Sequence, residues 1–212
     1  MAILSQGILG EVVGKTGPVV SYMRFGQNIT RSKGSTRKNR IETPARKMQR
    51  EKIKVCNDFT QAFSGTGFFN KTFPAYGHTG SGYNRVTSSI MNLAIVTNPV
   101  VAIAWPKVLV SKGPVAPVDY ASALVNDENN IAFTWTDNSG DGTAKKNDRA
   151  ILVAWFSESK QAVFAFSDAE RKDGTALLET GSIKGIAHTW LGFLSADETN
   201  AANSVYSGEL TI

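Results

Sequence analysis

Two β-rich runs, residues 131–136 and 149–156, flank a polar loop near the middle of the chain. Both runs are rich in β-branched and aromatic residues, and in a strand every second residue lies on the same face. The apolar positions that share a face are Phe133 and Trp135 in the first run and Ile151, Val153 and Trp155 in the second. The loop is rich in Asn, Asp, Ser and Gly, which favour turns. The pattern predicts a β-meander with one buried face per strand.

The same rhythm continues to the C-terminus and predicts seven strands after residue 113. They are residues 118–125, 131–136, 149–156, 161–166, 175–179, 187–194 and 204–212. About a hundred residues with seven short strands and regular turn signals are typical of an immunoglobulin-like β-sandwich. The chain has one cysteine, so a disulfide between the sheets is excluded and the fibronectin-type variety fits better.

The N-terminal part has a different pattern. Apolar runs on either side of residues 14–18, Gly-Lys-Thr-Gly-Pro, predict a small hairpin. Residues 24–40 are polar and basic with little to bury, so they predict an extended arm or long loop. Gly14-Lys15-Thr16 resembles the end of a phosphate-binding loop, but that motif needs a glycine five positions before Gly14, where this chain has Leu9. A glycine-rich turn therefore explains these residues.

The strongest helix signal follows the arm, with Thr43 as N-cap, Pro44 in the first turn and Gly65 as the stop. Apolar residues fall on one helix face and cations on another. Cys56 lies on the apolar face, which predicts a buried structural thiol.

Beyond the helix, residues 65–82 predict a glycine-rich loop whose aromatic residues pack back on the helix or contact a partner. Apolar residues at helical spacing over 86–94 predict a second short helix, and residues 100–105 and 107–111 predict strands. Lys112-Gly113-Pro114 predicts a domain boundary. The expected fold is α+β and mainly β: a docking domain of residues 1–113, with hairpin, basic arm and one or two helices, followed by a sandwich domain of residues 114–212.

Charge is divided unevenly along the 212 residues. Residues 1–54 hold 12 of the 23 Lys and Arg but 3 of the 18 Asp and Glu, which leaves 11 and 15 for residues 55–212. The basic third predicts a surface that binds acidic protein subunits or phosphate, with plain solvation as the remaining alternative. Its candidate binding residues are Arg31, Lys33, Arg37, Lys38, Arg40, Arg46, Lys47, Arg50 and Lys54.

Motifs for catalysis or cofactor binding do not occur in the sequence. The two histidines, His78 and His188, have no adjacent partner pattern, so no catalytic residue, cofactor or small-molecule substrate is predicted. The loop at 137–148 has a weak calcium-like spacing through Asp137, Asp141 and Asp148. Strands flank that loop and it contains two lysines, so a polar hairpin loop is favoured over a metal site.

No export or membrane signal is predicted. The first residues lack a basic region followed by a sufficient apolar run. The most apolar segment, 90–110, is interrupted by Pro99 and Pro106, which a membrane-spanning helix disfavours. A virion or the cytoplasm of the producing cell is the predicted location.

Several stretches carry a resemblance over nearly the whole length. They are QGILG at 6–10, GKTGPVV at 14–20, RSK at 31–33, QR at 49–50, VLVSKG at 108–113, WTDNSG at 135–140, NDRA at 147–150 and NSVY at 203–206. With these stretches the chain resembles an uncharacterised family, a domain of unknown function, found in Bacteroidota and their phages. The resemblance implies no activity. Separately, Thr43-Pro44-Ala45 is similar to a helix start of phage-associated structural proteins, with Arg46 where those have glutamine.

Together these patterns predict a non-enzymatic structural protein, of the decoration type found on phage capsids or tails, that docks through its basic N-terminal part and forms a homo-oligomer. The alternative is a cytoplasmic nucleic-acid-binding protein that uses the basic arm and helix face.

Overall fold

The computed structural model describes residues 10–34, 42–77, 80–98, 100–126 and 128–212, and residues 2–4 by their backbone alone. The chain forms two compact units, Met1–Thr43 and Pro44–Ile212. This division does not coincide with the domain boundary predicted after Gly113.

The first unit is an antiparallel sheet in the order β1-β2-β3-β4. Its strands are β1 (Ala2–Leu4), β2 (Val12–Thr16), β3 (Val19–Arg24) and β4 (Gln27–Ser32). Two-residue turns at 17–18 and 25–26 join the last three strands, so the predicted hairpin is present. The predicted arm is corrected in its first part, because residues 27–32 pair with β3 as a strand.

The part of the first unit whose side chains are described, residues 10–34, buries very little. Among the side chains of residues 10–34, only Ser21 is buried, and its hydroxyl lies 2.9 Å from that of Thr30 on β4. A small sheet normally needs an apolar face covered by another element to be stable. Over residues 10–34 the sheet therefore has little of the apolar core that independent stability requires.

The second unit begins with helices and continues with strands, confirming a mainly β chain with an N-terminal hairpin sheet, helices and C-terminal sheets. The helices are α1 (Pro44–Thr60), α2 (Phe68–Thr72) and α3 (Gly82–Leu93). The short strands β5 (Ile95–Val96) and β6 (Ala102–Ile103) pair with each other. The remaining strands are β7 (Asp119–Val125), β8 (Ile131–Thr136), β9 (Arg149–Phe156), β10 (Gln161–Glu170), β11 (Thr175–Leu178), β12 (Ile186–Leu194) and β13 (Val205–Thr211).

Two predictions around the helices need correction. The loop predicted at 65–82 contains α2, and its phenylalanines Phe68, Phe69 and Phe73 are buried in the core, whereas Tyr76 is half exposed. The strands predicted at 100–105 and 107–111 reduce to β6, followed by a 3₁₀ turn at Trp105–Lys107. Pro106 lies in the turn and has no N–H to donate to a strand ladder.

The seven C-terminal strands form two sheets, one of order β11-β8-β7 and one of order β10-β9-β12-β13, all paired antiparallel. The two sheets share one apolar cluster, to which Phe133 of β8, Leu152 of β9 and Leu191 of β12 contribute. The opposite face of the four-stranded sheet packs on the helices, because Val153, Trp155 and Trp190 belong to the cluster that contains Phe59 of α1.

Strand β9 is therefore buried on both faces, and all its residues after Arg149 are buried. The sequence predicted one buried face for this run, that of Ile151, Val153 and Trp155, and the structure places that face against the helices. The other face, with Leu152 and Phe156, packs in the cluster between the sheets. A strand that is covered on both faces has a continuous run of apolar residues, and residues 150–156 form such a run.

Candidate functional site

Helix α1 is anchored to the second unit by its last turns. Cys56, Phe59 and Thr60 are its buried residues. The ring of Phe59 lies 5.7 Å from the rings of both Trp155 and Trp190, in edge-on contacts. Residues 44–51, in contrast, are all exposed. The apolar stripe that buries the C-terminal half of the helix thus continues into solvent, where Met48 is 46% exposed and Ile53 43% exposed.

Two cations of α1 lie close to its N-terminus, the end of the helix where positive charge is least favourable for helix stability. No acidic residue lies in the first turn and no basic residue in the last. The helix dipole makes the N-terminus positive, so cations near it cost a few tenths of a kcal/mol each at an exposed site. Arg46 and Lys47 lie in this region. Their positions concentrate positive potential at the exposed end of the helix.

A groove of about 550 Å³ runs beside the middle of α1. Arg50, Ile53 and Lys54 line one side, and Lys160, from the turn between β9 and β10, lies on the other. Lys160 donates to the carboxylate of Asp58 at 2.7 Å, which fixes the lysine beside the helix. Among its lining residues in the described part of the chain, three are cations and one, Asp58, is a carboxylate, so this lining carries a net positive charge. Asn57 and Gln61 add amide groups that both donate and accept hydrogen bonds.

The structure brings together part of the predicted binding set. Arg50 and Lys54 line the groove, and Arg46 and Lys47 lie on the same helix toward its N-terminus. Arg31, on β4, and Lys33 belong to the first unit, where the Arg31 guanidinium lies 5.4 Å from the centre of the Tyr22 ring. The remaining candidates, Arg37, Lys38 and Arg40, lie outside the described residues.

Lys160 is the groove residue that sequence reasoning missed. It lies in the turn between β9 and β10, where its backbone φ is 54°, an uncommon value for a residue other than glycine. Nothing local marks such a lysine as a neighbour of α1, because the contact joins positions 102 residues apart. Only the docking of α1 on the β9 sheet brings the two together.

Two of the three carboxylates of the weak metal candidate at 137–148 have protein hydrogen-bond partners. Asp148 is buried, and its Oδ2 accepts from Arg171 Nε at 3.2 Å and from the Lys145 N–H at 2.9 Å. The Asp137 carboxylate accepts from the Ser139 N–H. Among the described residues no group of three His, Cys, Asp or Glu side chains is placed to hold a metal. An arginine takes the position beside Asp148 that a cation would need.

His188 lies within an aromatic cluster. Its ring stacks on that of Trp105 at 4.4 Å, and its Nδ1 lies 3.0 Å from the hydroxyl of Tyr206. Burial lowers the pKa of His188, and the carboxylate of Glu209 opposes this effect. These contacts give His188 a packing role. His78 lies outside the described residues.

Within the described parts of the chain, no helix has both the length and the apolar character needed to cross a membrane. A search of the curated proteins finds no match to the chain. The resemblance to an uncharacterised family is confirmed by a family model that covers nearly the whole length. This model describes a family of unknown function, DUF6266, and matches residues 4–208, so the chain belongs to that family.

Proposed function

We propose that the chain is a non-enzymatic structural subunit of a larger assembly and that it docks through the exposed half of α1. The observation that carries the proposal is a helix half with apolar and cationic side chains together in solvent. Met48 and Ile53 are exposed beside Arg50 and Lys54. Met and Arg are enriched in protein interfaces, where a partner covers the apolar groups and pairs with the charges.

The first unit supports docking as well. Its sheet buries only Ser21 among the side chains of residues 10–34 and exposes Val13, Met23 and Phe25. A partner surface would supply the apolar cover that such a sheet needs. In this proposal the basic N-terminal residues, from Arg31 to Lys54, contact the same partner.

The partner we propose is a further copy of the chain. Residues 1–54 carry a net positive charge and residues 55–212 a net negative one, so the basic part of one copy complements the remainder of another. Contacts between two different surfaces of identical subunits generate rings or extended arrays. Such assembly fits the decoration of a phage capsid or tail, and the proposed location is a virion or the cytoplasm of the producing cell.

We also propose that the two C-terminal sheets form an immunoglobulin-like sandwich of the fibronectin type. Lettered in order, β7, β8 and β11 take the positions A, B and E, and β9, β12 and β13 take C, F and G. Strand β10 pairs with β9, so it occupies the position of strand C′, beside C. In a constant-type immunoglobulin domain the corresponding strand, D, pairs with E in the other sheet. Such domains commonly serve as binding modules rather than enzymes.

Light scattering after size-exclusion chromatography tests the assembly. We expect the full chain to form a defined oligomer and the charge reversal Lys47→Glu/Lys54→Glu to dissociate it. The matched control is Lys145→Glu/Lys146→Glu, which changes the charge equally at two exposed lysines far along the chain. A monomer over the whole accessible concentration range, or equal dissociation by both variants, would overturn the proposal. For the virion assignment, the decisive result is the presence or absence of the chain in purified phage particles.

The alternative function is nucleic-acid binding, which the cationic groove favours. Arg50, Lys54 and Lys160 could contact successive phosphates, and each contact makes log K fall with log salt with a slope of about −0.9. Fluorescence anisotropy with a DNA duplex at several salt concentrations tests this function. Lys54→Gln and Lys160→Gln should each reduce the slope by about 1. No binding at low salt would exclude it.

A further inference from the structure

A second and larger groove, with a volume of about 780 Å³, lies elsewhere in the second unit. One wall is the polar face of α3, with Asn84, Ser88 and Asn92 one turn apart. The facing wall comes from the segment after α2, with Tyr76, and from the segment that precedes β7, with Lys112. The volume falls within the range of about 300–1,000 Å³ that is typical of ligand sites.

The described lining of the groove is positively charged. It includes two cations, Arg85 and Lys112, and, among the residues that the structure describes, no carboxylate. Arg85 is held by carbonyl oxygens: its Nε and one terminal nitrogen donate to Phe73 O at 2.9 and 2.6 Å, and the other donates to Gly80 O at 2.6 Å. Three of the five guanidinium donors are therefore used, which leaves two with no hydrogen-bond partner in the described part of the chain. The fixed charge and the spare donors favour an anionic group.

The rest of the lining is neutral and polar. The hydroxyls of Ser88 and Ser89 and the amides of Asn84, Asn92 and Asn203 both donate and accept hydrogen bonds. Groups of this kind match ligand hydroxyls, which also donate and accept. A site for an isolated phosphate would instead present a convergent set of backbone N–H groups or further cations.

An exposed aromatic ring completes the groove. Tyr76 is 49% exposed and lies at a φ of 43°, a conformation that costs free energy and persists only where the surroundings hold it. Its hydroxyl bonds to the backbone of Ala201. A Cβ on Gly113 would lie 2.6 Å from that hydroxyl oxygen, so only glycine permits this contact. The hydroxyl end of the side chain is thereby held, and about half of the residue remains exposed along the groove.

We infer that this groove binds an acidic oligosaccharide. The carboxylate or sulfate lies near Lys112 and Arg85, the ring hydroxyls contact the asparagine and serine side chains of α3, and the apolar face of one sugar ring stacks on Tyr76. Binding involves no bond making or breaking. The inference is independent of the proposed docking through α1, because the two grooves share no lining residue.

Isothermal titration calorimetry on the full chain tests the inference with four probes. A hyaluronan tetrasaccharide carries carboxylates, a heparin-derived tetrasaccharide adds sulfates, chitotetraose is a neutral counterpart of the same length, and ATP is a phosphorylated probe. We expect at least one acidic tetrasaccharide to bind at least tenfold more tightly than chitotetraose and ATP. The preferred acidic probe distinguishes carboxylate from sulfate recognition. Absence of binding by both acidic probes, or tighter binding of ATP, would overturn the inference.

Matched variants locate the site. Lys112→Gln should lower the affinity for the acidic probe by about tenfold, because one hydrogen bond to a charged group is lost. Lys107→Gln, an exposed lysine outside the groove, should leave the affinity unchanged. Asn84→Ala should weaken binding at unchanged oligomeric state. If Lys54→Gln abolishes binding and Lys112→Gln does not, the saccharide inference fails while the docking proposal stands.

Discussion

The guanidinium of Arg171 lies 3.2 Å from the carboxylate of Asp148, and both side chains are almost fully excluded from solvent. Arg171 also donates to Asn138 Oδ1 at 2.6 Å and to Ala116 O at 3.0 Å. Its charge lies 4.0 Å from the centre of the Phe193 ring. One arginine thus ties the 137–148 loop to the segment before β7 and to the face of β12, which explains how a long polar loop is held in a fixed position.

Removing that arginine should destabilise the protein strongly. Arg171→Met leaves the Asp148 carboxylate buried without its cation, and breaking one side of a buried pair costs about 3–5 kcal/mol. Urea unfolding of the full chain measures the change. The neighbouring Lys172→Met should stay within about 0.5 kcal/mol, because Lys172 is half exposed. Equal losses for the two variants would show that the buried pair does not stabilise the fold.

Gly82, the first residue of α3, should not tolerate a side chain. A Cβ there would lie 2.0 Å from the carbonyl oxygen of Phe69 in α2, a backbone atom that cannot rotate away. We expect Gly82→Ala to lower the free energy of unfolding by about 1–3 kcal/mol or more through overpacking. Gly34→Ala is the control, since a Cβ there meets nothing within 4 Å. Thermal unfolding measures both, and an unchanged Tm for Gly82→Ala would contradict the close packing of α2 and α3.

His188 should make stability depend on pH. Burial lowers its pKa from the ordinary value of 6.5, and the charged group that faces it is Glu209, at 3.6 Å from Nδ1. As pH falls below about 6.5, the unfolded chain binds a proton that the folded chain does not, so stability decreases until the pH reaches the native pKa. Urea unfolding between pH 5 and pH 8 measures the slope. In His188→Gln the loss of stability between pH 6.5 and pH 5 should become smaller, because the titrating imidazole is gone. The same pH dependence in both proteins would contradict a lowered pKa for His188.

Cys56 should be unreactive in the folded protein. Burial raises the pKa of its thiol to about 11, and the thiolate is the reactive form. A thiol reagent at pH 8 should therefore label the native chain slowly and the urea-unfolded chain rapidly. Because Cys56 is the single cysteine, the labelling rate reports opening of the α1 contact directly. Rapid stoichiometric labelling under native conditions would show that the aromatic cluster opens readily.

The strands were predictable where an apolar pattern marks the strand and turn-forming residues mark its two ends. The bounds predicted for β8 and β9 agree with the structure, because alternating or continuous apolar runs are bounded by polar turns. Strand β4 was missed because Gln-Asn-Ile-Thr-Arg-Ser has little apolar character. Its strand conformation comes from pairing with β3, in which Tyr22 lies opposite Ile29.

The candidate sites were predictable only in part, for a related reason. An amphipathic pattern tells which face of α1 is buried but not what covers it, so Arg50 and Lys54 were found and Lys160 was not. The groove at Lys112 was missed completely. Its walls come from α3 and from a segment near the predicted domain boundary, and nothing in either stretch indicates that they face each other.

The burial of β9 and β12 on both faces has a consequence for synthesis. Phe59 of α1 packs on Trp190, a residue made 131 positions later. At about 5–20 residues per second, the ribosome needs roughly 7 to 26 seconds to cover that distance. During this time the nascent chain carries Phe59 without its contact to Trp190, so the apolar side of the helices stays uncovered by β12 until that strand is made.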